Sequence, residues 1–153
     1  MTTPALTDVP VRSALALTRR WTSLLQPATF RARSLWLAWF DADGRQSPVL
    51  VPVDDLPVVP DPAMFDGLRL LNESVASAQL GDDGHLAMAL CRPGEAVVSD
   101  SDDEWVDALG EVFDGLVGQT WSLHLAAGSR VVPLVEPPDS AFASISVTSG
   151  APR

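Results

Sequence analysis

The side chains able to do chemistry are few: His85, His124, the single cysteine Cys91, and a stretch running from Leu90-Cys91-Arg92-Pro93-Gly94 to Ser99 and Asp102. A catalytic zinc takes three protein ligands and keeps an open position for water. His85, Cys91 and His124 lack the paired spacing of such ligands and form a weak metal set. Alternation along a strand also sends Cys91 to the face opposite Leu90 and Arg92. A Cys91-His124 nucleophile pair is a second option, set against the usual role of a lone strand cysteine as a buried small hydrophobe. Asp102 lies where a helix should start, and a carboxylate there commonly caps the helix or satisfies its dipole.

These groups need elements to hold them. Residues 13–26 carry Leu17, Trp21, Leu24 and Leu25 at helical spacing, with Pro27 as the stop. Residues 35–40 are apolar on both faces, which suits a central strand, and Asp43-Gly44 favours a hairpin turn into a return strand over 48–53. Prolines 52, 57, 60 and 62 then break the pattern. Asp61-Pro62 starts a helix whose stripe is Phe65, Leu68, Leu71, Val75 and Ala78. A strand over 85–91 follows. Ser101-Asp102-Asp103-Glu104 reads as a capping box for a helix with Trp105, Leu109, Val112 or Phe113, and Leu116 on its core face. Strands over 121–126 and 131–135 complete an α/β domain with a mixed sheet. The domain is expected over 13–136, between flexible tails at 1–12 and 137–153.

The stretch around Cys91 resembles the frame of the JAMM metalloproteases, and of their RadC branch in particular. That frame is His-x-His-Pro-Ser-Gly, then Ser and Asp. Pro93, Gly94, Ser99 and Asp102 match it, while Leu90 and Arg92 stand where the two histidines belong and the Pro-Gly is one residue shorter. Residues 34–45 are similar to the family's first strand and hairpin, 62–78 to its next helix, 85–90 to the histidine-bearing strand, and Ser122 to Gly128 to its closing strand. The resemblance, covering about 34–135, implies a JAB/MPN-like sheet flanked by helices. It also implies a general-base glutamate on the early strand. No acidic residue lies between Asp8 and Asp41, and Arg33 or Ser34 occupies that region.

The resemblance therefore implies the fold without its zinc chemistry: no cofactor, no catalytic residue, and a former metal cleft marked by Arg92, Ser99 and Asp102. An Arg92 cation beside Asp102 could fill the vacated position with a charge-assisted contact. As a partly exposed pair it should contribute about 0 to 1 kcal/mol. By analogy with metal-free MPN domains, the expected function is a protein-interaction or scaffold module, with a metal-dependent hydrolase using a relocated site as the alternative.

Composition sets bounds on partners. The chain has 153 residues, 46% hydrophobic and 20% charged, enough for one domain that buries roughly 70% of its unfolded surface. No apolar run approaches about 20 residues, so no membrane span is expected. The absence of a signal-peptide pattern and the lone cysteine point to the cytoplasm. All basic residues are arginine, the bias of a GC-rich, bacterial coding sequence.

A formal net charge of -10 argues against a nucleic-acid surface, which needs cations for phosphate. The polarity is uneven, with Arg12, Arg19, Arg20, Arg31 and Arg33 early and eight acidic residues but no basic one over 95–114. Of the five tryptophans, Trp39 or Trp36, Trp105 and Trp121 suit core positions. Trp21, beside Arg19 and Arg20, is the candidate exposed hot spot for a protein partner or for self-association, with core packing as its other reading.

Overall fold

The computed structural model describes residues 9–80, 83–116 and 118–142. Helix α1 (Ala14–Leu24) precedes the hairpin β1 (Ser34–Asp41) and β2 (Gln46–Asp54); α2 (Pro62–Gln79), β3 (Gly84–Cys91) and α3 (Asp100–Phe113) follow, and β4 (Gln119–Ala127) and β5 (Arg130–Val135) close the sheet. The five strands are ordered β2-β1-β3-β4-β5. Only β3 and β4 run parallel, because α3 carries the chain back across one face between them. The other neighbours are antiparallel. The fold is thus an α/β domain with a mixed sheet.

Local chemistry sets the helix starts. Ser13 caps α1 by accepting from Ala16 N–H at 3.0 Å, and Asp61 caps α2 through Ala63 N–H at 3.0 Å, with Pro62 in the first turn. The α3 capping box lies at Ser99 and Asp102 rather than at Ser101 and Glu104. Both registers fit the sequence rule. The earlier one is selected because it buries Asp102 against Arg92 while leaving Glu104 in solvent.

Side-chain size divides the two faces of the sheet. Toward α2 and α3 the strands present Leu35, Leu37, Trp39, Leu86, Met88, Leu90 and Leu123, which pack with Phe65, Leu68, Trp105, Leu109 and Phe113. Toward α1 they present mostly small groups, Ala38, Ala87, Ala89, Cys91 and Ala126, so that one helix can lie close through Leu17 and Trp21. The outer strands carry exposed prolines, Pro48 and Pro52 on β2 and Pro133 on β5, which cannot donate to an added strand.

Some expected boundaries move outward. Val11 is buried and donates its N–H to Gly44 O at 2.7 Å, so packing begins before residue 13. After Pro137, a short 3-10 turn (Asp139–Phe142) seats Phe142 edge-on against Phe40, with ring centroids 6.3 Å apart. The remainder of both expected tails, 1–8 and 143–153, lies outside the described residues. Among the described residues, no helix is long and apolar enough to cross a membrane.

Candidate functional site

Arg92 and Asp102 meet beyond the carboxyl end of β3. Arg92 follows directly on β3 and is held there by its own N–H, which donates to Ala126 O on β4 at 3.2 Å. Because side chains alternate along the strand, Arg92 emerges on the α2/α3 face with Leu90 while Cys91 faces α1. Pro93 and Gly94 then fold the chain back. Gly94 has φ +94°, and a Cβ there would lie 3.3 Å from Arg92 Nη1, so glycine suits both the turn and the close approach.

The contact itself is a bidentate ion pair. Arg92 Nε donates to Asp102 Oδ1 at 2.9 Å and Nη2 to Oδ2 at 2.8 Å. Nη1 also donates to Pro93 O at 2.9 Å and Nη2 to Val97 O at 2.9 Å, which ties the loop over the guanidinium. The second partner of Asp102 Oδ2 is Ser99 N–H at 2.9 Å, and Ser99 Oγ accepts from Asp102 N–H at 3.3 Å. Arg92 is 6% exposed and Asp102 0%. Burial alone would raise the Asp102 pKa, but the hydrogen bonds from Arg92 and Ser99 and the charge of Arg92 outweigh it and hold the carboxyl below its usual range. The Arg92 pKa is raised, chiefly by its hydrogen bond to Asp102.

Two sequence expectations change here. The pair that was expected to be partly exposed is buried, because the loop over 93–99 closes on it. The reading of Arg92, Ser99 and Asp102 as a binding cleft also gives way, since four guanidinium N–H donors and both carboxylate oxygens are taken up within the chain. Nor do these residues suit a zinc ion. A guanidinium occupies the side of Asp102 that a metal would need, and a cation there repels another cation.

The histidines lie apart, on the α1 face. His85 is fully buried between two hydroxyls, with Nδ1 2.7 Å from Thr120 Oγ1 and Nε2 2.8 Å from Ser122 Oγ. Burial, helped by His124 nearby, pushes its pKa down to about 3. His124 Nε2 lies 2.8 Å from Thr18 Oγ1 of α1, and burial lowers its pKa to about 4. Both rings are therefore neutral near pH 7; His85 has both nitrogens hydrogen-bonded, whereas among the described residues His124 Nδ1 is buried without a partner. Cys91 shares that face, and burial pushes its thiol up to about 12, so it is not a thiolate nucleophile. Among the described residues no three His, Cys, Asp or Glu side chains come together as a metal set.

The amino-terminal interface candidate is corrected. Trp21 is fully buried against the small-residue face of the sheet, where the alanines leave room for an indole. Arg20 is buried too: Nη1 donates to Gln46 Oε1 at 2.7 Å, Nη2 to Val9 O, and the guanidinium lies 5.8 Å from the Phe40 ring centre. Of the three, Arg19 alone is exposed.

Sequence reasoning missed a buried polar link on the other face. Asn72 of α2 accepts from Trp39 Nε1 at 2.9 Å and exchanges hydrogen bonds with Gln119 of β4 at 3.0 and 2.7 Å. Asn72 stands at core spacing, four residues after Leu68 and three before Val75, and that spacing was the signal its polar side chain obscured. Also missed was a groove of about 600 Å³ between α2 and α3, lined in part by Val59, Phe65, Ala108 and Val112. Comparison with protein-family models, curated proteins and solved structures finds no match for this chain.

Proposed function

We propose that this protein is a non-catalytic, RadC/MPN-like protein-interaction or scaffold module. The observation that carries this reading is the buried Arg92–Asp102 pair at the end of β3. In the family that the sequence resembles, this strand end and the following helix start present metal ligands. Here a guanidinium takes that place, and a fixed cation with committed donors can neither activate water nor polarise a carbonyl as an exchangeable metal centre does. Against the alternative of a relocated hydrolytic site, His85 is buried with both ring nitrogens hydrogen-bonded, Cys91 is a buried un-ionised thiol, and among the described residues no three metal-ligating side chains come together.

We place the protein in the cytoplasm, a location consistent with a buried free thiol. The test is hydrolysis. Purified protein supplied with Zn2+ should cleave neither isopeptide-linked nor peptide substrates, whereas cleavage that a chelator abolishes would overturn the assignment.

A further inference from the structure

The groove between α2 and α3 is walled by one face of each helix. Its two walls each show one face over two turns: Pro62, Phe65, Asp66 and Arg69 from α2, and Glu104, Asp107, Ala108 and Glu111 from α3. Residues spaced i, i+3, i+4 and i+7 span roughly 10 Å of helix on either side. The lining is apolar at Val59, Phe65, Ala108 and Val112, and the polar lining is largely carboxylate. Asp66, Glu104, Asp107 and Glu111 are exposed, and of these Asp66 is paired with Arg69 at 3.4 Å.

The frame of this groove is fixed from beneath. Trp105, fully buried, donates its Nε1–H to Val58 O at 3.0 Å and stacks edge-on with Phe65, with ring centroids 5.8 Å apart. That hydrogen bond pins the Pro-rich connection against α3, and the next residue, Val59, lines the groove while more than half exposed. A valine left in water beside an apolar floor loses hydration cost when covered. Carboxylates around that floor set the sign of what can cover it.

We propose that this groove docks a basic amphipathic helix of a partner protein, with apolar side chains on the floor and Lys or Arg against Asp66, Glu104, Asp107 and Glu111. Charge complementarity selects this occupant over a second copy of the chain, because two molecules of net charge -10 repel on approach while a basic partner is drawn in. In helix-in-groove docking the bound helix supplies apolar anchors at i, i+3, i+4 and i+7, which here would meet Val59, Phe65, Ala108 and Val112. The proposal rests on the interaction-module reading and names its surface and partner chemistry.

The probe is a fluorescent peptide of leucine and lysine, about four turns long and patterned for an amphipathic helix. Its controls are a scrambled peptide of the same composition and a leucine-glutamate counterpart. The patterned peptide should bind at least about tenfold more tightly than the scrambled one. Glu104→Lys/Asp107→Lys/Glu111→Lys should weaken it at least about tenfold, whereas Asp54→Lys/Glu95→Lys/Glu136→Lys, an equal change of charge away from the groove, should weaken it less than about threefold. Val59→Asp provides a second perturbation at a surface residue, and circular dichroism checks that each variant is folded.

Equal binding of the scrambled peptide, equal losses from the two triple variants, or no binding of the patterned peptide would overturn the proposal. Concentration-dependent self-association that the groove variant abolishes would make a second copy the occupant, and would overturn it too. Failure of the peptide while the protein remains inert toward isopeptide substrates sinks the groove and leaves the module reading intact. Hydrolysis sinks the module reading whatever the peptide does.

Discussion

Replacing Asp102 by alanine should be among the most damaging single changes at the surface end of the sheet. Asp102 is fully buried, takes two hydrogen bonds from Arg92, and accepts from the Ser99 N–H at the helix start. Asp102→Ala leaves a guanidinium that is 6% exposed without its counter-charge and removes half of a capping box. Breaking a buried pair in this way costs about 3 to 5 kcal/mol. In a domain of this size that corresponds to a fall in Tm of roughly 6 to 20 °C.

Urea unfolding followed by tryptophan fluorescence reads the loss directly. Arg92→Met and the double variant complete a thermodynamic cycle. Both single losses should be large and the double variant should recover part of them, since an apolar pair removes both charges from the interior. The pH dependence has a definite sign. Because the folded Asp102 pKa lies below its unfolded value, its contribution is fully present above the unfolded value, near pH 4, and disappears as pH falls through the folded pKa. The gap between wild type and Asp102→Ala should therefore narrow in acid. A loss below about 1 kcal/mol near pH 7, the size expected of an exposed pair, would refute the reasoning.

Three further outcomes follow from the packing. Trp105→Ala should cost about 3 to 5 kcal/mol in denaturant melts, since the indole is fully buried and holds the Val58 carbonyl; a cost under about 1 kcal/mol would put it at the surface. Cys91 should resist thiol reagents in the folded protein and react once urea unfolds it, and rapid modification without unfolding would contradict its burial. His85 and His124, lowered to about 3 and about 4, should show no titration of their ring protons by NMR between about pH 5 and 7. Because the unfolded chain binds those protons first, wild-type stability should fall as pH drops below about 6.5, and His85→Gln should flatten that slope.

The elements were legible because their signals are local. Ser13, Asp61-Pro62 and the doubly apolar run of β1 each state a boundary or a burial state in a few residues. Trp105 and Leu109 followed from helical period alone, whereas the choice between Val112 and Phe113 fell to Phe113 only in the packed structure. What depended on three-dimensional partners was harder to read. Trp21 and Arg20 look like a basic aromatic surface in the sequence, and their burial comes from alanines on β1, β3 and β4 and from Gln46 on β2, far away in the chain. The capping box of α3 was expected at Ser101 and Glu104 and lies instead at Ser99 and Asp102, where Asp102 also meets Arg92. Similarly, the α2/α3 groove is formed by residues from two helices and a loop, and no single segment announces it.

Zinc content is the most direct measurement of the central claim, that the guanidinium of Arg92 stands where a metal would otherwise meet Asp102. Elemental analysis of protein purified without chelators, exposed to excess Zn2+ and dialysed, should find no stoichiometric zinc, and Arg92–Asp102 should remain bidentate in a crystal grown from that material. About one zinc per chain retained after dialysis, and lost in Asp102→Ala, would contradict the account.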